Sequence, residues 1–155
     1  MVISDSTTLI ILFDLDRMEL LSNLFSKILI PEAVYREISR KYDIVLPAFM
    51  EVVSVQENVT LNLLKQLLDE GESEAIALAL ERKSKLIIDE KKGRKIALAQ
   101  GLEIIGLLGI VYLNIRKGFL SRNEAKQFLD EALHHGYRIN TKLIETMFAS
   151  IEGKQ

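Results

Sequence analysis

Short runs of purely apolar residues, each followed by a stretch with helical spacing, restrict this chain to one class of fold. Val2-Ile3, Ile28-Leu29-Ile30, Leu86-Ile87-Ile88 and Ile104-Ile105 are apolar at consecutive positions, not alternate ones. A strand of that kind has no side for water, so both of its faces must be covered. Strands buried on both sides and alternating with helices predict a single α/β domain, residues 1–155, built on a parallel sheet between helical layers.

The intervening segments carry helical signals. Residues 9–13 and 20–25 predict two helical pieces, broken at Asp14-Leu15-Asp16. Pro31 stops the second strand, and its fixed φ suits the first turn of a helix over about 32–41. Residues 42–47 read as a loop and 50–55 as a short strand or extended link. Leu61, Leu64, Leu67 and Leu68 make a helical stripe that Gly71 would close, and Ala75, Ile76, Ala79 and Leu80 make another. Ile96, Ala97 and Ala99 sit on a helix ending at Gly101, and 107–116 form the next. Ser121 with Glu124 is a capping box. The helix it opens carries Ala125, Phe128, Leu129, Ala132 and Leu133 at the spacing of one face, and Gly136 ends it. A last helix over about 141–151 would bury Leu143, Ile144, Met147 and Phe148. These two C-terminal helices, about 121–151, are expected to pack on the domain.

Composition narrows the chemistry. At 155 residues, 48% hydrophobic and 27% charged, the chain can bury a core without staples, and it is not a disordered tail, a collagen-like repeat or a rod. Twenty basic against 22 acidic residues leave a net charge of −2, which argues against a broad basic nucleic-acid binder but not against a local basic patch. The absence of Cys excludes disulfides, thiol catalysis and thiolate metal sites. The two His, His134 and His135, are adjacent, so in a helix they point apart and cannot converge on one ion. The most apolar stretch, 104–113, is interrupted by Gly106 and Gly109 and falls short of the roughly 20 residues needed to span a bilayer. The N-terminus has no basic region and reaches Asp5 at once, unlike a signal peptide. A soluble cytoplasmic protein without a membrane partner is the expectation.

The acids fall at telling places. In a parallel sheet the strand C-termini share one edge, and ligands gather there at the switch in strand order. Two strands end in acid: Val2-Ile3-Ser4-Asp5, and Leu86-Ile87-Ile88-Asp89 with Glu90 next. If those strands are neighbours, Asp5 and Asp89 face a common cleft. Alone, each reads equally as a helix N-cap. Glu74, with Gly71 taken as the N-cap, lies in a first helical turn where acids complement the dipole. Glu37 lies one and a half turns into the helix begun at Pro31, where a solvated position is its ordinary explanation. Together they mean more. Two unit charges 5 Å apart repel by about 3 kcal/mol at an effective dielectric of 20. Several carboxylates in one cleft therefore need a cation or partial protonation. All-oxygen ligation suits Mg²⁺ or Mn²⁺, which can hold a phosphate oxygen and activate a water. Directly after Glu90 come Lys91, Lys92, Arg94 and Lys95 around Gly93. Cations oppose the dipole at a helix start, and a phosphate backbone passing the cleft would account for them, as would a solvated charged turn.

The ordered set of segments Val2–Thr8, Ile30–Ile38, Gly71–Ala79 and Leu86–Lys95 resembles the PIN domain family, specifically the compact prokaryotic branch related to VapC-type toxins. The resemblance runs from about Val2 to Leu113, and the final two helices are similar to that branch's ending. It implies a three-layer α/β/α sandwich around a parallel sheet, and an acidic Mg²⁺ or Mn²⁺ site cleaving RNA with a metal-activated water. It also implies a homodimer and a small antitoxin protein as partner. By position it carries Asp5, Glu37, Glu74 and Asp89 as catalytic or metal ligands, with Glu90 sharing or exchanging the role of Asp89. Ser6 becomes a supporting hydroxyl beside Asp5, and Lys91, Lys92, Arg94 and Lys95 become substrate contacts. Where members often have Gly-Thr-Leu-Gly, this chain has Gly106-Leu107-Leu108-Gly109, so one hydroxyl near the site is lost.

Other readings fare worse. Asp14-Leu15-Asp16 superficially matches an aspartyl-phosphatase motif, but Arg17 and Met18 follow it and it reads as a helix break. A receiver domain needs a Lys after a late strand, where this chain has Gly106. The glycines of 101–109 lack the dinucleotide-loop spacing. The remaining alternative is a non-catalytic PIN-like module that binds RNA or a protein.

Overall fold

The structure, a computed structural model, describes residues 1–152. The strands β1 (Val2–Ser4), β2 (Ile28–Pro31), β3 (Met50–Val53), β4 (Lys85–Ile87) and β5 (Ile104–Ile105) form one sheet in the order β3-β2-β1-β4-β5. Every pairing is parallel, with Val2 between Ile28 and Lys85 and Ser4 opposite Ile87. The helices are α1 (Ser6–Asp14), α2 (Glu19–Ser22), α3 (Glu32–Lys41), α4 (Val59–Lys65), α5 (Glu70–Arg82), α6 (Lys91–Ala99), α7 (Leu107–Arg116), α8 (Arg122–His134) and α9 (Thr141–Glu152).

The consecutive apolar residues of the strands divide between two cores, because successive side chains leave a strand on opposite faces. Val2, Ile28, Ile30 and Ile87 join Leu9 and Leu12 of α1, Ile110 and Val111 of α7, and Phe128 and Leu129 of α8. Ile3, Leu29, Leu86 and Ile88 join Leu61 and Leu64 of α4, Ala75 and Ile76 of α5, and Ala97 of α6. The result is the expected α/β/α sandwich. Met147 of α9 belongs to the first core, so the C-terminal helices pack on that side.

One boundary follows the sequence reading and one differs. The chain turns to a left-handed conformation at Asp16 (φ 54°), inside the expected break. Gly71, however, closes nothing: α4 ends at Lys65, and Gly71 lies in the first turn of α5. The N-cap there is Asp69, whose Oδ1 accepts from the Glu72 N–H at 2.8 Å. An Asp side chain supplies an acceptor for a free helical N–H, which Gly cannot, so Asp69 takes the cap. The capping box at Ser121 is present in both directions, at 3.1 and 3.0 Å.

One polar group in the first core has no counterpart in the sequence reading. Asn114 of α7 is fully buried, accepts from Asn23 Nδ2 at 3.0 Å, and donates to the Leu20 and Ile110 carbonyls at 2.9 and 2.8 Å. It ties the 19–23 turn to α7. Asn114→Ala leaves the Leu20 carbonyl and the Asn23 amide without their partner, and should lower the unfolding free energy by about 1–3 kcal/mol. A urea midpoint equal to wild type would contradict this.

Candidate active site at the ends of β1 and β4

The chain leaves β1 for β2 on one side and later returns to β1's other side as β4. That reversal is the switch point of the sheet, where a crevice opens beyond the strand ends. Asp5 follows β1, and its N–H donates to the Ile87 carbonyl at 2.9 Å, tying the two strand ends together. Asp89 lies two residues beyond β4.

Alternation sends the two acids to different sides of that edge. Asp5 keeps the parity of Ile3, and Asp89 that of Ile87, residues of different cores. Asp5 approaches the first turn of α5: a Cβ built on Gly71 would sit 3.7 Å from its Oδ1. Asp89 instead meets α1 and α7. Thr8 Oγ1 donates to its Oδ2, the Leu107 N–H reaches both oxygens at 3.1 and 3.0 Å, and Arg94 Nη1 lies 3.9 Å from Oδ1. A carboxylate at the N-terminus of α7 is stabilised by the free N–H and the helix dipole. Gly106 makes this possible, since a Cβ there would come 2.5 Å from Asp89 Oδ1 and 2.8 Å from Arg94 Nη1. The Leu107 side chain is buried in the core, and the hydroxyl that reaches Asp89 belongs to Thr8.

Asp5 is in a harder position. It is 3% exposed, caps nothing with its side chain, and its buried Oδ1 has no hydrogen-bond partner. Burial pushes its pKa up to about 7; the Ser6 N–H opposes this, while the charges of Asp69, Glu37 and Glu90 add to it. Beside it, Glu72 of α5 is 7% exposed and its Oε2 also lacks a partner. Burial, then hydrogen bonding to Asp69 and Glu90, then the charges of Asp69 and Asp5 push Glu72 up to about 9. Two ionised carboxylates have no proton to share, and a protonated Glu72 becomes the donor to its neighbours. The same contact, first among its causes, holds the exposed Glu90 below its ordinary value, helped by the Gly93 N–H at 2.7 Å. A Cβ on Gly93 would lie 2.7 Å from Glu72 Oε2, so Gly is what leaves the Glu72 carboxyl its place. Glu37 of α3 contributes a third buried oxygen, Oε2, without a partner.

The structure therefore gathers Asp5, Glu37, Glu72, Asp69 and Glu90 within electrostatic reach, with Asp89 held separately at α7. Glu74 is buried, and its Oε1 accepts from the Ala33 N–H at 3.1 Å, which satisfies the first turn of α3. Ser6 is buried at the start of α1, next to Asp5. Lys91 and Arg94 line a groove of about 860 Å³ that begins at Asp89, whereas Lys92 and Lys95 are exposed outside that lining. Sequence reasoning missed Glu72, Asp69 and Thr8. Glu72 lies two residues before Glu74 in the same first turn, where an acid is explained by the helix dipole, and taking Gly71 as the cap hides Asp69. Thr8 lies one helical turn after Asp5, a spacing that could have marked it.

Three buried, unpartnered carboxylate oxygens and two raised acids are what a hard divalent cation would relieve, and the donor set is all oxygen. Among the described residues no three acidic or His side chains already converge on one point, so ion binding must draw them together.

Without metal, this cluster should make stability depend on pH. An acid whose folded pKa is raised binds more protons folded than unfolded, so stability falls as pH rises between the two values. Asp5 acts from about 4 to about 7, and Glu72 from about 4.5 to about 9. The metal-free protein should lose on the order of a few kcal/mol between pH 5 and 9, and Asp5→Asn should be more stable than wild type at pH 8. Thermal melts in EDTA across that range check both; a flat profile, or a less stable Asp5→Asn at pH 8, would contradict the burial of ionised Asp5.

No curated protein matches the chain. A sequence model described as the PIN domain matches residues 1–152, which is nearly the full length. PIN domains are in general nucleases, and they typically employ divalent metal ions. The chain belongs to the PIN domain family.

Proposed function

We propose that this PIN domain is a Mg²⁺- or Mn²⁺-dependent endoribonuclease. The observation that carries the reading is Asp5, buried, with Oδ1 unpartnered, and crowded by like charge at the switch point of the sheet. Stability alone does not favour such a residue, since an unpaired buried charge is destabilising. A cation in place of the missing partner turns that liability into affinity.

In this reading Asp5, Glu72 and Glu90 hold the ion, with Glu37 completing the acidic wall. An ion held there would supply a nucleophilic water of lowered pKa and offset charge on the scissile phosphate. The chain's own groups do the rest. Asp89, fixed by Thr8 and the Leu107 N–H, holds a negative charge at the edge of the cleft where it can orient a water or a further ligand. Arg94, half-exposed and 3.9 Å from Asp89, places a cation where a phosphate would pass. Glu74 keeps α3, and with it Glu37, in place through the Ala33 N–H. The finer reading, from the likeness to VapC-type proteins, is the toxin of a toxin–antitoxin pair, acting as a homodimer held by a small antitoxin. A non-catalytic module that binds RNA or protein is the second reading. It is favoured by one fact: Asp89 and Glu74 are already committed to backbone N–H groups.

A labelled mixed RNA pool incubated with Mn²⁺ or Mg²⁺ separates them. Wild type should cut it, EDTA should stop the cutting, and Asp5→Asn should lower the rate at least about 100-fold. Glu72→Gln should cost more activity than Glu74→Gln, because Glu72 feels the charge of Asp5 and has an unpartnered oxygen, whereas Glu74 is engaged by the Ala33 N–H. Cleavage that survives EDTA and Asp5→Asn, or no cleavage at all, would leave the binding module as the better reading.

A further inference from the structure

The two sides of the strand ends differ in what already balances their charge. On the α5 side, Asp5 Oδ1, Glu37 Oε2 and Glu72 Oε2 are buried without a donor. The charges acting most strongly on Asp5 and Glu72 are those of other acids. On the α7 side stands Asp89, and its carboxylate is provided for. A carboxylate has about four lone-pair sites to fill. The Leu107 N–H is shared between both oxygens at 3.1 and 3.0 Å, Thr8 Oγ1 donates to Oδ2, and Arg94 Nη1 stands 3.9 Å from Oδ1. The N-terminus of α7, a helix of 10 residues, adds positive charge of its own. Gly106 is what lets acid and guanidinium lie together here, since a Cβ would come within 2.5 Å of the one and 2.8 Å of the other. A divalent ion at Asp89 would have to push this guanidinium aside and approach the positive end of a helix. An ion on the α5 side meets neither obstacle.

We infer that this chain holds one divalent ion, on the α5 side, and that Arg94 stands on the α7 side as the fixed positive charge for which two-ion nucleases use a second metal. The inference rests on the metal-dependent reading and adds to it the number of ions and the role of Arg94. In two-ion sites the pair of cations offsets charge on the attacking and leaving oxygens of the phosphate. A guanidinium can take one half of that task. It is always charged, and its planar fork matches phosphate oxygens. At 3.9 Å the contact of Arg94 with Asp89 is an ion pair and not a hydrogen bond, so the N–H donors of the fork stay free for a phosphate. Asp89 is then a positioning residue for Arg94. Thr8 and the Leu107 N–H hold the carboxylate, and the carboxylate holds the cation at the cleft. The same arrangement explains why the acid at the end of β4 is well partnered while the acid at the end of β1 is not: only one of them waits for an ion.

The test counts ions and does not depend on cleavage. The full chain, freed of metal with EDTA and dialysed, is titrated with Mn²⁺ at pH 7, and free Mn²⁺ is followed by its electron paramagnetic resonance signal. Wild type should take up one Mn²⁺ per chain, up to millimolar metal. Asp89→Asn, which keeps the shape of the side chain, should still take up one, with affinity weakened less than about tenfold. Arg94→Gln should admit a second, weaker Mn²⁺ at millimolar metal, because Asp89 has lost its cation. Arg94 is half-exposed and belongs to neither core, so this change leaves the packing alone. Arg94→Lys keeps the charge and should return the count to one. Two ions in wild type, an Asp89→Asn protein weakened about tenfold or more, or a count of one in Arg94→Gln would each overturn the inference. All three outcomes leave the metal-dependent reading standing, since an ion is still bound by wild type. No Mn²⁺ on wild type would remove both readings together.

Discussion

Where a parallel sheet reverses its strand order, two strand ends lie side by side with no connection crossing between them, and that constraint sets where charge can accumulate in this fold. Here the reversal falls between β1 and β4, tied by the Asp5 N–H to the Ile87 carbonyl. α5 covers one side of the opening and α7 the other. Acids on the α5 side are pressed together and lose water. The acid on the α7 side finds a helix N-terminus. The two raised carboxyls, Asp5 and Glu72, and the well-partnered Asp89 are consequences of one topological fact.

Glycine shows how closely the backbone serves those acids. At 93 and at 106 a Cβ would fall on Glu72 Oε2 and Asp89 Oδ1, at 2.7 and 2.5 Å. Each position lets a carboxyl group lie against the start of a helix, α6 in one case and α7 in the other. The lost hydroxyl at Leu107 belongs to the same account. The backbone N–H of Leu107 does the work at Asp89, its side chain fills the core, and Thr8 supplies the hydroxyl from across the cleft.

Much of this was legible in the residues. Consecutive apolar positions at 2–3, 28–30 and 86–88 announced strands covered on both faces, and the two cores divide those residues alternately as the pleat requires. Asp5 and Asp89 were legible because both follow such strands. The error at Gly71 shows what sequence could not supply. Asp69 and Gly71 are both acceptable helix starts, and in the fold Asp69 caps while Gly71 falls in the first turn of α5 beside Asp5. The choice between Glu72 and Glu74 depends on that same two-residue placement. On a helix, residues two apart face different ways: Glu72 feels the charges of Asp69 and Asp5, and Glu74 accepts from the Ala33 N–H at the start of α3. The groove that begins at Asp89 was invisible for a similar reason: its far wall, with Arg138, is brought to Asp89 only by the folding of the C-terminal helices onto the first core.

The central claim is that the acidic cluster is built for a cation and not for protons alone. Calorimetric titration of Mn²⁺ into the metal-free protein at pH 7, repeated in two buffers of different ionisation enthalpy, tests it directly. The account predicts binding accompanied by net proton release, because the ion must displace protons from acids whose pKa values stand at about 7 and about 9, and it predicts that Asp5→Asn loses both the binding and the proton release. No binding at millimolar Mn²⁺, or binding of equal strength in Asp5→Asn, would contradict it.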